Sequence, residues 1–108
     1  MDSIVIVCGA GASSSFLASR MRTIARERGL DARVTAASSE ALADLLPSTT
    51  VLLVGPHLAT GFETIAAQAA EHHVPVALLP ETAFGPAGAA EAVDLVGMLV
   101  AAGPAPAA

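Results

Sequence analysis

The chain has 108 residues, 54% of them apolar, and a formal net charge of −5, which suits one domain with one hydrophobic core. The negative charge argues against nucleic acid as a partner, since phosphate backbones are bound by clustered Lys and Arg. No apolar run approaches the ~18 residues of a membrane-spanning helix, so we expect a soluble protein without direct membrane insertion.

The apolar pattern of the first half predicts two strands and two helices. Residues 3–7 are mostly β-branched without polar alternation, which is typical of a strand buried on both faces of a parallel sheet. After a loop, apolar residues at helical spacing predict an amphipathic helix over 16–28 that ends at Gly29. A second, more exposed strand is predicted over 31–36, followed by a short helix that ends before Pro47.

The second half repeats this cycle. Residues 50–54 predict a third buried strand, 62–72 a helix, and 75–79 a fourth strand. A turn-rich stretch then leads to a last amphipathic helix over 89–102. Four short strands alternating with helices predict an α/β fold, namely a three-layer sandwich around a four-stranded parallel sheet.

Residues 1–103 are predicted to form a single domain, and 104–108 a flexible tail. In open parallel sheets, ligands bind beyond the carboxyl ends of the strands. Cys8 follows the first predicted strand, residues 55–57 follow the third, and residues 80–85 follow the fourth. We therefore expect these three loops to meet at one edge of the sheet and to form the functional site.

Cys8, the only cysteine, begins a loop of small residues between a strand and a helix. Successive N–H groups in such a loop can form an anion-binding nest, to which the helix N-terminus adds partial positive charge. The same field favours a thiolate and lowers the cysteine pKa from its usual ~8.5, which makes Cys8 a nucleophile. A cysteine that merely packs in the core more often lies inside a strand than at its end. The predicted phosphate-binding residues are Gly9, Ala10, Gly11, Ala12, Ser13, Ser14 and Ser15.

Cysteine usage and the start of the chain bear on location. A single cysteine cannot form an internal disulfide, and a lone thiol suits a reducing compartment. Residues 1–4 have no basic segment ahead of an apolar one, so no secretory signal is predicted and we expect a cytoplasmic protein.

One cysteine and three histidines lack the spacing of a structural zinc site. No metal and no cofactor are predicted.

The order of these motifs resembles a known family. Residues 8–21 are similar to the cysteine loop and first helix of the enzyme IIB subunits in the lactose/cellobiose class of the bacterial sugar phosphotransferase system. Residues 51–58 resemble that family's third strand and its Gly-Pro loop. Residues 75–76 and 84–85 fall where the fourth strand and the following glycine turn belong. The resemblance covers residues 3 to about 102.

The resemblance implies a phosphotransferase component with a covalent mechanism. In this family the cysteine thiolate attacks the phosphohistidine of a IIA protein, holds a thiophosphate, and gives it to a sugar bound by the membrane subunit IIC. Carried over, Cys8 is the phosphorylated nucleophile. Ala12 replaces a common methionine, Phe84 a common tyrosine, and residues 80–81 an Asp-containing turn, which bears on partner and sugar specificity. The sugar and the oligomeric state stay open.

Two alternatives use the same loop differently. Low-molecular-weight tyrosine phosphatases and arsenate reductases, whose flavodoxin-like sheet is similar to the predicted one, have an arginine six residues after the cysteine. Ser14 occupies that position here, so the bidentate guanidinium clamp for hydrolysis is missing. A regulatory module that binds an anion noncovalently would not need the thiol, and replacing Cys8 by Ser would leave its function intact.

Several other side chains have two interpretations. His57 could donate a proton or a hydrogen bond at the site, or be a solvated loop residue. Phe84 could dock a partner or anchor the local core. Residues 72–73 are histidines that suit a helix C-terminus. All five Lys and Arg residues are arginines within 20–33, which indicates either a solvated helix face or a docking patch for an acidic partner.

Overall fold

The computed structural model describes residues 2–7, 12–85 and 87–102, and the predicted tail lies outside this range. The strands are β1 (Asp2–Val7), β2 (Ala32–Ala37), β3 (Val51–Val54) and β4 (Val76–Leu78). The helices are α1 (Ala12–Glu27), α2 (Leu42–Leu45), α3 (Phe62–Glu71) and α4 (Gly88–Ala102). Short 3-10 turns occupy Ser39–Ala41, Leu46–Ser48, Pro56–Gly61 and Glu81–Phe84.

The four strands form one parallel sheet in the order β2-β1-β3-β4. Ile4 of β1 pairs with Val34 of β2 on one side and with Val51 of β3 on the other. The central strands β1 and β3 are buried along residues 4–7 and 51–54, because β-branched and leucine side chains on both faces are covered by helices. The predicted α/β sandwich is therefore confirmed.

Alternate side chains of the central strands enter two separate cores. On one face Ile4 and Ile6 pack against Leu17 and Met21 of α1, together with Val93 of α4. The opposite core contains side chains from β1, β3, α2, the 3-10 turn after α2, and α3: Val5, Val7, Leu42, Leu46, Leu52, Val54, Ile65 and Ala69. The predicted apolar stripes of the helices thus face the sheet, with two helices on each side.

Three boundaries differ from the predicted ones. Helix α1 begins at Ala12 instead of residue 16, because alanine is the best helix former and serine is tolerated in a helical turn as well as favoured at a cap. Helix α2 has a single α-helical turn between two 3-10 turns, and Pro47 in the second of these cannot continue an α-helix. Strand β4 is three residues long.

Helices α1 and α3 end in the same hydrogen-bonded geometry. Beyond α1, Gly29 has a φ of 72° and Leu30 N–H donates to Ala25 O at 2.8 Å. Beyond α3, His73 has a φ of 57° and Val74 N–H donates to Ala69 O at 2.9 Å. Both ends are Schellman motifs, in which a left-handed residue lets the chain satisfy the last carbonyl groups. The predicted placement of the two histidines at a helix end is confirmed.

Exchanging glycine for alanine at two sites should change stability in opposite directions. Gly29→Ala should lower the free energy of unfolding by about 1 kcal/mol, because alanine is disfavoured at positive φ. A Cβ at Gly29 meets no atom within 4 Å, so the cost is conformational. Gly97→Ala, within α4 and also unobstructed, should raise that free energy by up to about 1 kcal/mol through helix propensity.

Urea unfolding of the two variants and the parent chain measures both changes. Equal slopes in denaturant would show that the variants expose the same surface on unfolding and differ only in stability. A shift of both midpoints in the same direction would contradict the assigned backbone conformations.

Candidate functional site

Two backbone hydrogen bonds join the carboxyl ends of three strands. Gly55 N–H, just beyond β3, donates to Val7 O at the end of β1 over 2.7 Å. Leu79 N–H, just beyond β4, donates to Val54 O over 2.7 Å. The carboxyl ends of β1, β3 and β4 therefore lie side by side, and the described segments that follow β3 and β4 leave the sheet at this one edge, as predicted.

The predicted nucleophile and part of its loop lie outside the described residues, namely Cys8, Gly9, Ala10 and Gly11. Both flanking residues are described. Val7 is fully buried in the sheet, and Ala12 is the first residue of α1. Since Cys8 is bonded to Val7, it follows the central strand β1 directly. The role of Cys8 stays a prediction.

The serines of the predicted phosphate cradle belong to the first turn of α1, which begins at Ala12. The first N–H groups of an α-helix have no acceptor within the helix and carry partial positive charge. The side chains of Ala12, Ser13 and Ser14 lie outside the described part, whereas Ser15 is exposed and already has a partner within the protein. The backbone N–H groups at this end are thus what the described helix geometry offers to an anion, and the roles predicted for the serine hydroxyls stay predictions.

The two auxiliary candidates lie in the 3-10 turns that follow β3 and β4. His57 belongs to the turn Pro56–Gly61, which is anchored by buried Gly55, whose carbonyl accepts Leu58 N–H at 3.0 Å. Phe84 ends the turn Glu81–Phe84, which contacts both α1 and α4. The backbone thus brings both residues to the carboxyl edge. Their side chains lie outside the described part, and the functions suggested for them stay predictions.

Gly85 closes the turn that contains Phe84. Its N–H donates to Thr82 O at 2.9 Å, and a Cβ at Gly85 would lie 3.2 Å from the same oxygen. Such a distance is tighter than most Cβ contacts, so the tight turn favours the residue without a side chain. This accounts physically for the glycine predicted at the turn after the fourth strand.

An exposed aromatic residue near the loop was missed by the sequence analysis. Phe16, in the second turn of α1, is 60% exposed. The guanidinium carbon of Arg20 lies 5.7 Å from the centre of its ring, within cation–π range. The available signal was an aromatic residue directly after three serines, in a chain with only three aromatic residues. Phe16 and Arg20 form an apolar and cationic surface beside the carboxyl edge, which we call the Phe16–Arg20 surface.

The arginines do not form one continuous patch. Arg22, Arg26 and Arg33 line a surface depression between α1 and β2. Arg28 instead forms an ion pair with Asp94 of α4, with Nη1 and Oδ1 2.6 Å apart. Both partners are exposed, so this pair contributes little to stability. The five arginines therefore lie in at least three different local environments.

Two features are absent from the described part of the chain, a membrane-crossing helix and a metal-binding cluster. None of its helices has the length and apolar character needed to cross a membrane. Over residues 2–7, 12–85 and 87–102, no three or more His, Cys, Asp and Glu side chains are grouped so that they could hold a metal ion.

Comparisons with a family model and with solved structures point to the same kind of protein. The family model for the lactose/cellobiose-specific IIB subunit of the PTS system matches residues 3–93. Among curated proteins, none matches this sequence. The lactose-specific IIB component domain from Streptococcus pneumoniae has a TM-score of 0.81 at 11% identity, covering 91% of this chain and 96% of that one. The cellobiose-specific phosphotransferase IIB component from Borrelia burgdorferi has a TM-score of 0.78 at 19% identity, covering 96% of this chain and 95% of that one.

Proposed function

The chain belongs to the lactose/cellobiose-specific IIB family of the phosphotransferase system, and we propose that Cys8 is the residue that carries the phosphoryl group. Family membership gives the chain a phosphoryl-transfer role in sugar uptake. The position of Cys8 supports this assignment, because the only cysteine of the chain follows the buried strand β1 and precedes the N-terminus of α1. The donor in this proposal is the phosphohistidine of a IIA protein, and the acceptor is a sugar bound by membrane subunit IIC.

The proposed transfer has two steps. In the first, the Cys8 thiolate attacks phosphorus, an S–P bond forms, the P–N bond breaks, and the departing imidazole keeps the electron pair. In the second, a sugar hydroxyl attacks the same phosphorus and releases its proton to water, while the S–P bond breaks and its electron pair leaves with sulfur. The thiolate is thereby regenerated for the next cycle. The chain works in the cytoplasm in this proposal, where thiols remain reduced.

The first turn of α1 supports the binding of a phosphoryl group. Its residues 12–15 include no carboxylate, and N–H groups at a helix N-terminus are suited to anions. Such donors stabilise the charge on the phosphoryl oxygens in both transfer steps, which is where catalysis of phosphoryl transfer mainly lies. Ser14, in this turn, replaces the phosphatase arginine, which favours transfer to a partner over transfer to water.

The Phe16–Arg20 surface supports the docking of a IIA protein. A carrier must place its thiol within bonding distance of a phosphohistidine on another protein, so apolar residues next to the loop are useful contacts. Exposed aromatic and arginine side chains are the residue types that contribute most at protein interfaces. Phe16 lies eight residues from Cys8 and faces solvent rather than the core.

Phosphorylation should depend on Cys8 alone. After incubation with phosphoenolpyruvate, enzyme I, HPr and a cognate IIA, intact-mass analysis should detect one added phosphoryl group on the parent chain and none on Cys8→Ser. The adduct should have the acid and base lability of a thiophosphate. An unmodified parent chain beside a demonstrably phosphorylated IIA, or an adduct retained by Cys8→Ser, would refute the proposal. Turnover of a phosphate ester by the purified chain would instead support the phosphatase alternative.

Truncating Phe16 should slow transfer from IIA without affecting folding. We expect Phe16→Ala to lower the transfer rate at subsaturating IIA about five-fold or more, which corresponds to about 1 kcal/mol of lost docking energy. Its unfolding free energy should change by less than about 0.5 kcal/mol, since the side chain is mostly exposed. Rapid-quench measurement of phosphoryl transfer checks the rate.

Met98→Ala is the matched control for this prediction. Met98 is 70% exposed on α4, and its truncation removes apolar surface of similar accessibility away from Phe16. It should leave the transfer rate unchanged. Equal transfer rates for Phe16→Ala and Met98→Ala would exclude the Phe16–Arg20 surface as a docking site.

A further inference from the structure

A cavity of about 260 Å³ lies between α1, α4 and the first halves of β1 and β2. Its walls are mainly apolar side chains: Ile4, Met21, Ala25, Val34, Val93 and Val96. Leu30, 50% exposed, and Val100, 39% exposed, form part of its lining, so the cavity opens to solvent. Ile4 precedes Val7 by three residues, about 10 Å along a strand, so the cavity faces away from the Cys8 edge.

Small residues on the two helices account for this space. The α4 residues that line it share one helical stripe, with Gly97 at the centre: Val93, Val96, Gly97, Val100 and Ala101. A Cβ at Gly97 would meet no atom within 4 Å. Protein interiors are otherwise close-packed, with few voids larger than a water molecule. An open apolar space of this size is therefore a candidate ligand site.

The depression lined by Arg22, Arg26 and Arg33 adjoins this cavity. The cavity and the depression share four lining residues: Leu30, Asp31, Ala32 and Val34. Arg22 is fixed at their junction, because its Nε–H donates to Val34 O at 2.8 Å. Asp31 is the one carboxylate in the depression, and it already has a partner within the protein. Three arginines thus line the depression that adjoins the apolar cavity.

We infer that this cavity binds a medium-chain monocarboxylate, with its hydrocarbon chain inside and its carboxylate at the arginines. Guanidinium groups recognise carboxylates through paired N–H donors. An apolar cavity of about 150 Å³ accommodates benzene, so by the same packing 260 Å³ holds about eight to ten carbon atoms. A chain of that length ending in an anion matches both the volume and the charge, and this site is independent of the proposed phosphoryl transfer.

Octanoate is the probe, and 1-octanol is its uncharged match. Isothermal titration calorimetry on the full chain should show saturable octanoate binding, with 1-octanol binding at least about ten-fold more weakly for lack of the ionic contact. Arg26→Gln combined with Arg33→Gln should reduce octanoate affinity towards that of octanol. Gly97→Leu places a side chain at the centre of the α4 stripe that lines the cavity, and it should remove binding of both compounds. Cys8→Ser should bind octanoate like the parent chain.

Three results would overturn the inference. The first is the absence of saturable binding at millimolar octanoate. The second is equal affinity for octanoate and octanol, because the arginines would then contribute nothing. The third is a dimer, measured by light scattering, that Gly97→Leu dissociates, because a second copy would then occupy the cavity. Circular dichroism and urea unfolding confirm that Gly97→Leu and the arginine variants are folded before their affinities are compared.

Discussion

The pairing of β1 with β3 is the interaction on which the other elements depend. Both strands are buried on both faces, and their alternate side chains enter the two cores beneath the helix pairs. Helices α1 and α4 can cover one face, and α2 and α3 the other, only while these strands stay in register. The Gly55–Val7 hydrogen bond extends the pairing one residue beyond β3, so the constraint that forms the core also positions the residue before Cys8.

Helix α1 connects the proposed phosphoryl site with the apolar cavity. Its 16 residues span about 24 Å, from the turn that follows the cysteine loop to the residues that line the apolar cavity. Its buried face holds Leu17 and Met21 against the sheet, while its N-terminal end presents N–H groups and Phe16 at the carboxyl edge. The two ends differ chemically, with the helix N-terminus that we propose to bind the phosphoryl group at one and the apolar cavity next to the arginine-lined depression at the other.

Much of the fold could be predicted from the sequence, because buried parallel strands and amphipathic helices leave strong apolar patterns, and Gly29 marks a helix end. The start of α1 could not be located, since serine suits both a cap and a first turn. The φ of 57° at His73 leaves no local signal, and an aromatic residue after three serines does not show by itself that Phe16 is exposed, because both features depend on tertiary packing. The edge that holds the site was predicted, but the geometry of Cys8 lies outside the described residues, and the cavity depends on how α1 and α4 pack together.

The most direct test of the central claim is nuclear magnetic resonance of the ¹⁵N-labelled chain after phosphorylation through IIA. We expect a ³¹P resonance typical of a thiophosphate, and amide shift changes concentrated in the cysteine loop and in residues 12–16, 55–58 and 81–85, the described segments of the carboxyl edge. This pattern would place a phosphocysteine where β1 meets α1. A phosphohistidine resonance, or shift changes centred on the opposite edge around Leu30 and Val100, would contradict the account.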